Sequence, residues 1–217
     1  MSREPVYKKG IIFDLDGTLV NTLPDIATSI NLARDALGMA QLRADEITRH
    51  VGNGTRHLVH MAIPVPEEQH ETAHDHYLAF YGEHMLDESQ LNPGVAEILE
   101  RFSDRRLAVI TNKPQDQTDK ILAGLSVLDK FFMVLGGDAL ERKKPDPMPL
   151  HHYMQTQGLT KEDVVMVGDG VNDIRAGRAA EVLSVGVTLG VSTRAELEAE
   201  GPAGIIEDMT GLLDWVC

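Results

Sequence analysis

The chain has 217 residues, 42% of them hydrophobic and 25% charged, with a formal net charge of −14. This composition is typical of a globular protein with one domain, or one domain carrying an insertion, and its acidity argues against nucleic acid or an anionic membrane as a partner. The single cysteine excludes a disulfide framework within the chain, and the first apolar run, 10–13, is too short for a signal peptide or membrane span. We therefore expect a reduced, cytoplasmic protein, and we expect it to be a monomer or a homodimer.

The first predicted strand, 10–15, is followed by a long segment with helical periodicity and no convincing strand, from Leu19 to about Gln90. A crossover between parallel strands needs only about a dozen residues, so the surplus predicts an inserted all-helical cap. Its candidate helices are 23–37, 44–50, 55–62 and 67–85. The turn Asn92-Pro93-Gly94 marks the return of the chain. The predicted division is a cap at 19–88 and a main domain at 1–18 and 89–217.

Five further apolar runs follow, at 107–112, 132–136, 164–168, 184–189 and 204–206. Helix-length stretches accompany them, at 94–102, 115–125, 149–158, 173–180 and 193–200. Near-continuous hydrophobicity is typical of strands that are buried on both faces of a parallel sheet. The alternation predicts an α/β fold, an open parallel sheet with helices on both faces, whose ligands bind beyond the carboxyl ends of the strands.

Polar side chains lie at or just beyond the ends of the first four predicted strands. They are Asp14 and Asp16 at the end of the first strand, Thr111 and Asn112 at the end of the second, Lys144 after the third, and Asp169 and Asp173 after the fourth. Carboxylates that share one crevice repel each other unless a cation lies between them, and oxygen ligands without His or Cys suit Mg²⁺. A carboxylate can also act as a nucleophile towards phosphorus, with a metal and a lysine neutralising the phosphoryl group. The set therefore indicates phosphoryl chemistry.

Each of these residues has a simpler interpretation when taken alone. An Asp pair at a strand end is common turn chemistry, Asp169 and Asp173 can cap a helix, and Lys144 can be a solvated surface charge. It is the order of all four groups, each at a strand end, that favours a functional site.

The sequence resembles the haloacid dehalogenase superfamily in four motifs: DLDGT at 14–18, Thr111 within VITNK, Lys144 within KKP, and GDGVND at 168–173. Within that superfamily it is most similar to the bacterial phosphoglycolate phosphatases, in LPDIATSIN at 23–31, VGNGTR at 51–56, VITNKP at 109–114 and the GGD…KKPDP stretch at 136–147. The resemblance implies a Rossmann-like core with a helical cap inserted after the first strand.

The resemblance also implies roles for the motif residues. Asp14 would attack phosphorus, and Asp16 would protonate the leaving oxygen and then activate water. Thr111, Asn112 and Lys144 would bind the substrate. The implied cofactor is Mg²⁺, held by Asp14, the Asp16 backbone carbonyl and Asp169, with Asp173 supporting the site.

The implied partner is a small phosphorylated substrate, 2-phosphoglycolate. The cap contains eleven acidic residues and four arginines, Arg34, Arg43, Arg49 and Arg56, which disfavours polyanionic substrates. Arg56, or the backbone N–H groups around Gly52 and Gly54, would bind the substrate carboxylate. An ion pair between Arg56 and a neighbouring acid is the simpler interpretation of that arginine.

Three alternatives stay open at this point. The substrate could be a sugar phosphate or pyrophosphate, since phosphatases of those classes share several of these motifs. The chain could be an inactive phosphate-binding or partner-binding module. His70 and His74, which share a helix face, could bind zinc or simply be solvated.

Overall fold

The computed structural model describes residues 4–217, and all structural statements below refer to them. Eight strands are present: β1 (Gly10–Phe13), β2 (Val20–Asn21), β3 (Gln90–Leu91), β4 (Arg106–Ile110), β5 (Met133–Leu135), β6 (Val164–Gly168), β7 (Leu183–Val187) and β8 (Gly204–Ile206). The α-helices are α1 (Leu23–Ala36), α2 (Ala44–Thr48), α3 (Thr55–Ala62), α4 (His70–His84), α5 (Val95–Arg101), α6 (Gln115–Gly124), α7 (Met148–Gln157), α8 (Val171–Ala179) and α9 (Arg194–Ala199).

Six of the strands form one parallel sheet in the order β5-β4-β1-β6-β7-β8. The strand β1 lies near its centre, where Phe13 is opposite Val109 of β4 and Val167 of β6. Its four residues are all buried, as a strand covered on both faces requires. The predicted α/β fold is confirmed, and each predicted strand is present within a few residues of its expected bounds.

Successive residues of β1 point to opposite faces of the sheet. Ile11 and Phe13 belong to an apolar cluster that includes Ile98 of α5 and Ile121 of α6. Ile12 belongs to a second cluster, which contains side chains of α7 and α8. The sheet therefore has helices on both faces.

The helices α1 to α4 occupy the inserted segment, and α1 packs against α4. Their buried side chains, among them Ile30 and Tyr77, join the same apolar cluster as Phe13. The helix predicted at 67–85 is divided into a 3-10 turn, Glu67–Gln69, and α4. Among residues 4–217, no helix has the length and hydropathy needed to cross a bilayer.

The inserted segment enters and leaves through a two-stranded antiparallel ribbon, in which Val20 of β2 pairs with Leu91 of β3. The prediction that no strand lies between Leu19 and Gln90 is therefore wrong, because a two-residue strand is too short to show period-2 hydrophobicity. Asn92 joins the two connections further, since its backbone N–H donates to Leu19 O and its Nδ2 donates to Thr18 O, both at 2.9 Å. The domain division itself stays a prediction, and residues 1–3 of it lie outside the described residues.

Candidate active site

The carboxyl edge of the sheet gathers the predicted polar residues, because parallel strands all end on the same side. Asp14 directly follows β1, Thr111 directly follows β4 and Asp169 directly follows β6. Lys144 lies between β5 and α7, and Asp173 lies in the first turn of α8. All five are buried, with Lys144, Asp169 and Asp173 at most 2% exposed. Groups this polar need partners at such depth. Lys144 pairs with Asp14 and Asp173, whereas Asp169 and Thr111 find their partners outside the five.

Lys144 is the positive centre of the site. Its ammonium Nζ lies 3.1 Å from Asp14 Oδ1 and 2.5 Å from Asp173 Oδ1. Burial lowers the pKa of Lys144, but the Asp14 and Asp173 carboxylates outweigh that effect and leave the pKa raised. Asp173 is itself held by the Gly170 N–H, which donates to Oδ2 at 2.9 Å. Lys144 is therefore a fixed ammonium group beside the Asp14 carboxylate.

The Asp169 carboxylate is held in place by a hydroxyl donor and a backbone donor. Thr18 Oγ1 donates to its Oδ1 at 2.7 Å, and the Val191 N–H donates to its Oδ2 at 2.9 Å. Gly17, at φ +80°, and Gly190 approach this carboxylate so closely that a β-carbon on either would overlap it. The absence of side chains at these two glycines is what allows the carboxylate to reach Asp14.

Asp14, Asp169 and Asp173 form a cluster that suits a hard cation. One carboxylate oxygen from each lies within 4.8 Å of the others. Burial and the charge of Asp14 raise the pKa of both Asp169 and Asp173. Three carboxylates face one ammonium, so a divalent cation would balance the charge, and an all-oxygen set fits Mg²⁺.

No comparable cluster of His, Cys, Asp or Glu occurs elsewhere in residues 4–217. In the cap, His70 Nε2 lies 2.9 Å from Val65 O, and His74 Nε2 lies 3.0 Å from Thr55 Oγ1. These two imidazoles are each engaged in the packing of the cap and do not converge with a third ligand.

Asp16 lies on the wall of a small cavity of about 30 Å³, together with Asp14, Thr111 and side chains of the cap. Its Oδ1 accepts a hydrogen bond from Thr22 Oγ1 at 2.6 Å. Lys113 Nζ donates to both oxygens of the same carboxylate, at 2.8 and 3.2 Å. Lys113 is not among the site residues predicted from the sequence. The available signal was its position directly after Thr111-Asn112 at the end of β4.

Asn112 joins the cap to the main domain. Its Nδ2 donates to Gly52 O and to Lys144 O, both at 2.8 Å, and its Oδ1 has no hydrogen-bond partner among the described residues. Asn172 Nδ2 donates to the same Gly52 carbonyl at 3.1 Å. The turn around Gly52 is thereby held over the carboxyl edge of the sheet and closes the cavity from above.

Arg56 is not brought together with the other predicted residues. Its guanidinium group pairs with Glu71 of α4 at 2.5 Å, and its side chain is 68% exposed. It lines a neighbouring cavity rather than the one that Asp14 and Asp16 share. The packing of α3 beside α4 thus gives Arg56 an acidic partner outside that cavity, and its contact with a substrate carboxylate stays a prediction.

Comparisons with known proteins agree with this geometry. A family model described as haloacid dehalogenase-like hydrolase matches residues 11–187. Phosphoglycolate phosphatases of Colwellia psychrerythraea and Chromobacterium violaceum are 38% and 35% identical, over 95% and 94% of this chain and 96% of each relative. The crystal structure of a predicted phosphoglycolate phosphatase from Haemophilus somnus has a TM-score of 0.91 and 33% identity, over 95% of this chain and 96% of that one.

Proposed function

The chain belongs to the haloacid dehalogenase-like hydrolase family, and from this membership we propose that it is a phosphoric monoester hydrolase that acts on 2-phosphoglycolate through a phosphorylated Asp14. The observation that carries the proposal is the placement of two carboxylates, Asp14 and Asp16, on one cavity wall, each beside its own ammonium group, that of Lys144 for Asp14 and that of Lys113 for Asp16. We take the proposed substrate, 2-phosphoglycolate, from the names of the relatives, which are phosphoglycolate phosphatases.

In the proposed first step, an oxygen of Asp14 forms a bond to phosphorus while the ester P–O bond breaks. Asp16, in its protonated form, gives its proton to the leaving oxygen. In the second step, water attacks the phosphorus of phospho-Asp14, and the Asp16 carboxylate takes up a proton from that water. Inorganic phosphate leaves and Asp14 is restored. Asp14 suits the attack because its Oδ1 is already oriented by the Leu15 N–H at 2.7 Å.

The negative charge of the phosphoryl group needs fixed positive partners. Lys144 supplies one, and Thr111, on the same cavity wall as Asp14, supplies a hydroxyl donor. Asp14, Asp169 and the Asp16 backbone carbonyl would hold Mg²⁺, which when bound neutralises phosphoryl oxygens. Asp173 would keep Lys144 in place. The Gly52 turn would exclude bulk water from the cavity.

The direct test measures phosphate release, in the presence of Mg²⁺, from 2-phosphoglycolate, a hexose 6-phosphate, pyrophosphate and 4-nitrophenyl phosphate. We expect the highest kcat/KM for 2-phosphoglycolate. A hexose phosphate or pyrophosphate that is preferred by tenfold would refute the substrate, and no release from any ester would refute the hydrolase.

The nucleophile is tested with Asp14→Asn, which keeps the shape of the side chain and removes its nucleophilic oxygen. We expect loss of turnover with an unchanged circular dichroism spectrum, and loss of the phosphorylated protein that acid quenching traps in the wild type. Asp116→Asn, which changes an exposed side chain of α6, is the matched control and should retain activity. Substantial turnover by Asp14→Asn would exclude Asp14 as the nucleophile.

A further inference from the structure

A two-carbon substrate limits where its carboxylate can bind, and this argument rests on the proposed function. The leaving oxygen must lie within hydrogen-bond reach of the proton donor, Asp16. In 2-phosphoglycolate, a single methylene separates that oxygen from the carboxylate carbon. The group that recognises the carboxylate must therefore lie close to Asp16 and face the same cavity.

Lys113 meets both conditions. Its Nζ is 2.8 Å from Asp16 Oδ1, and its side chain lines the cavity that Asp14 and Asp16 share. The side chain is only 3% exposed, so the ammonium is held in place rather than free in solvent. The ring of Tyr81 lies 4.5 Å below Nζ and provides a second favourable contact for the cation.

The ammonium of Lys113 also has unused capacity. It has three N–H donors, and its hydrogen bonds within the described residues all go to the Asp16 carboxylate. A donor therefore remains for a ligand. A buried ammonium group attracts an anionic ligand strongly, because little solvent screens the attraction.

The other cations are less suitably placed. Lys113 is the only lysine or arginine among the residues that line this cavity. Arg56 is paired with Glu71. Arg49 lines a separate cavity, on the Asp173 side of Asp14, and its Nε donates to Asp45 O at 3.1 Å.

From these observations we propose that Lys113 binds the carboxylate of the substrate and thereby selects small phosphorylated carboxylates over neutral phosphate esters. Lys144 and the metal serve the phosphoryl end of the molecule, and Lys113 serves the other end. The site is thus divided into two anion subsites, with the Asp16 carboxylate between them.

The test compares two substrates that differ only at this end, 2-phosphoglycolate and 2-hydroxyethyl phosphate. For the wild type we expect a higher kcat/KM on 2-phosphoglycolate. Lys113→Met should lower the ratio of the two kcat/KM values by about 30-fold or more, mainly through KM for 2-phosphoglycolate. Both substrates will also lose some rate, because Lys113 holds Asp16, but the ratio removes that shared loss.

Two further variants and one control complete the design. Lys113→Arg keeps the charge and should retain part of the ratio, and Lys113→Gln provides the same comparison if the methionine variant does not fold. Lys130→Met makes the same chemical change at an exposed lysine remote from the cavity and should leave the ratio unchanged.

The outcomes separate this inference from the proposed function. An unchanged ratio in the folded Lys113→Met or Lys113→Gln variant overturns the carboxylate subsite, and so does a selective loss in Arg49→Ala instead. A wild type that hydrolyses both esters equally overturns the subsite and leaves the phosphatase standing. A wild type that releases no phosphate from either ester overturns the proposed function itself.

Discussion

The Asp169 carboxylate owes its position to two residues that lack a β-carbon, Gly17 and Gly190. Gly17 lies within the DLDGT motif, whereas Gly190 lies beyond β7, in a loop to which the sequence assigned no chemistry. The same loop supplies the Val191 N–H that donates to Asp169. Asp169, the proposed metal ligand, is thus positioned by the segment that follows β7 as well as by its own strand.

Gly190→Ala should therefore impair metal binding without unfolding the protein. A methyl group at this position overlaps Asp169 Oδ2 and must displace the carboxylate. We expect the Mg²⁺ concentration for half-maximal activity to rise by about 10- to 100-fold, as for the loss of other groups that orient metal ligands. The measurement is an Mg²⁺ titration of phosphate release.

The control for this variant is Gly82→Ala, at an exposed position of α4 where a β-carbon meets no other atom within 4 Å. It should leave the Mg²⁺ requirement unchanged and add up to about 1 kcal/mol of stability through helix propensity. An unaltered Mg²⁺ requirement in Gly190→Ala would mean that Mg²⁺ binding does not depend on the present position of the Asp169 carboxylate.

At the residue scale, the sequence located the side chains that follow strands, because parallel strands deliver their carboxyl ends to one edge. It could not predict the surroundings of Lys113 or of Arg56, because both depend on α4. Tyr81 of α4 packs beneath the Lys113 ammonium, and Glu71 of α4 pairs with Arg56. These contacts are fixed by how helices pack, which no local pattern around either residue reveals.

At the scale of elements, Asp25 joins the first turn of α1 to the returning chain just before β3. Its buried carboxylate accepts hydrogen bonds from the backbone N–H groups of Glu88 and Ser89, both at 2.9 Å, and from Ser89 Oγ at 2.7 Å. These bonds connect segments that are 63 and 64 residues apart in the chain. Asp25 thus fastens the two connections of the inserted segment to each other.

Asp25→Asn should destabilise the fold by about 2–4 kcal/mol, since an amide nitrogen cannot accept these bonds and hydrogen bonds to a charged group contribute about 1.5–3 kcal/mol each. Urea unfolding measures the loss. Ser89→Ala, which removes only the hydroxyl donor, is the graded control and should cost about 1.5 kcal/mol. Equal losses in the two variants would show that the carboxylate charge adds nothing.

The elements themselves were largely predictable, but their interruptions were not. Long periodic segments such as α1 and α6 carry enough residues to show their period. The ribbon of β2 and β3 has only two residues in each strand, and it forms because residues 20 and 91 meet in three dimensions. The 3-10 turn at Glu67–Gln69 continues a helical pattern that the sequence cannot distinguish from α4.

At the scale of the whole molecule, the buried carboxylates should make the stability of the metal-free protein depend on pH. The pKa of Asp169 and of Asp173 is raised in the folded protein, above about 3.9 in the unfolded chain. At pH values between about 3.9 and the raised pKa values, the folded state therefore binds more protons than the unfolded state. Their stabilising contribution is complete below about pH 4 and is lost as pH rises through the raised values.

We expect chelated protein to melt at least about 3 °C lower at pH 9 than at pH 6, since 1 kcal/mol shifts Tm by about 2–4 °C at this size. Mg²⁺ should reduce the difference, because it binds the deprotonated carboxylates. Asp169→Asn is the control that removes one titrating group and should flatten the dependence. Differential scanning fluorimetry provides the measurement, and a wild-type Tm that rises across this range contradicts the prediction.

The ribbon of β2 and β3 also has a meaning for how such a molecule can diversify. Paired strands lie about 4.7–4.9 Å apart, so the two points where the intervening segment joins the sheet are adjacent in space. Any polypeptide whose own termini lie that close together can be spliced between them without moving Asp14, Lys144 or Asp169. Evolution, or a designer, can therefore replace the inserted segment and keep the residues to which we assign the phosphoryl chemistry.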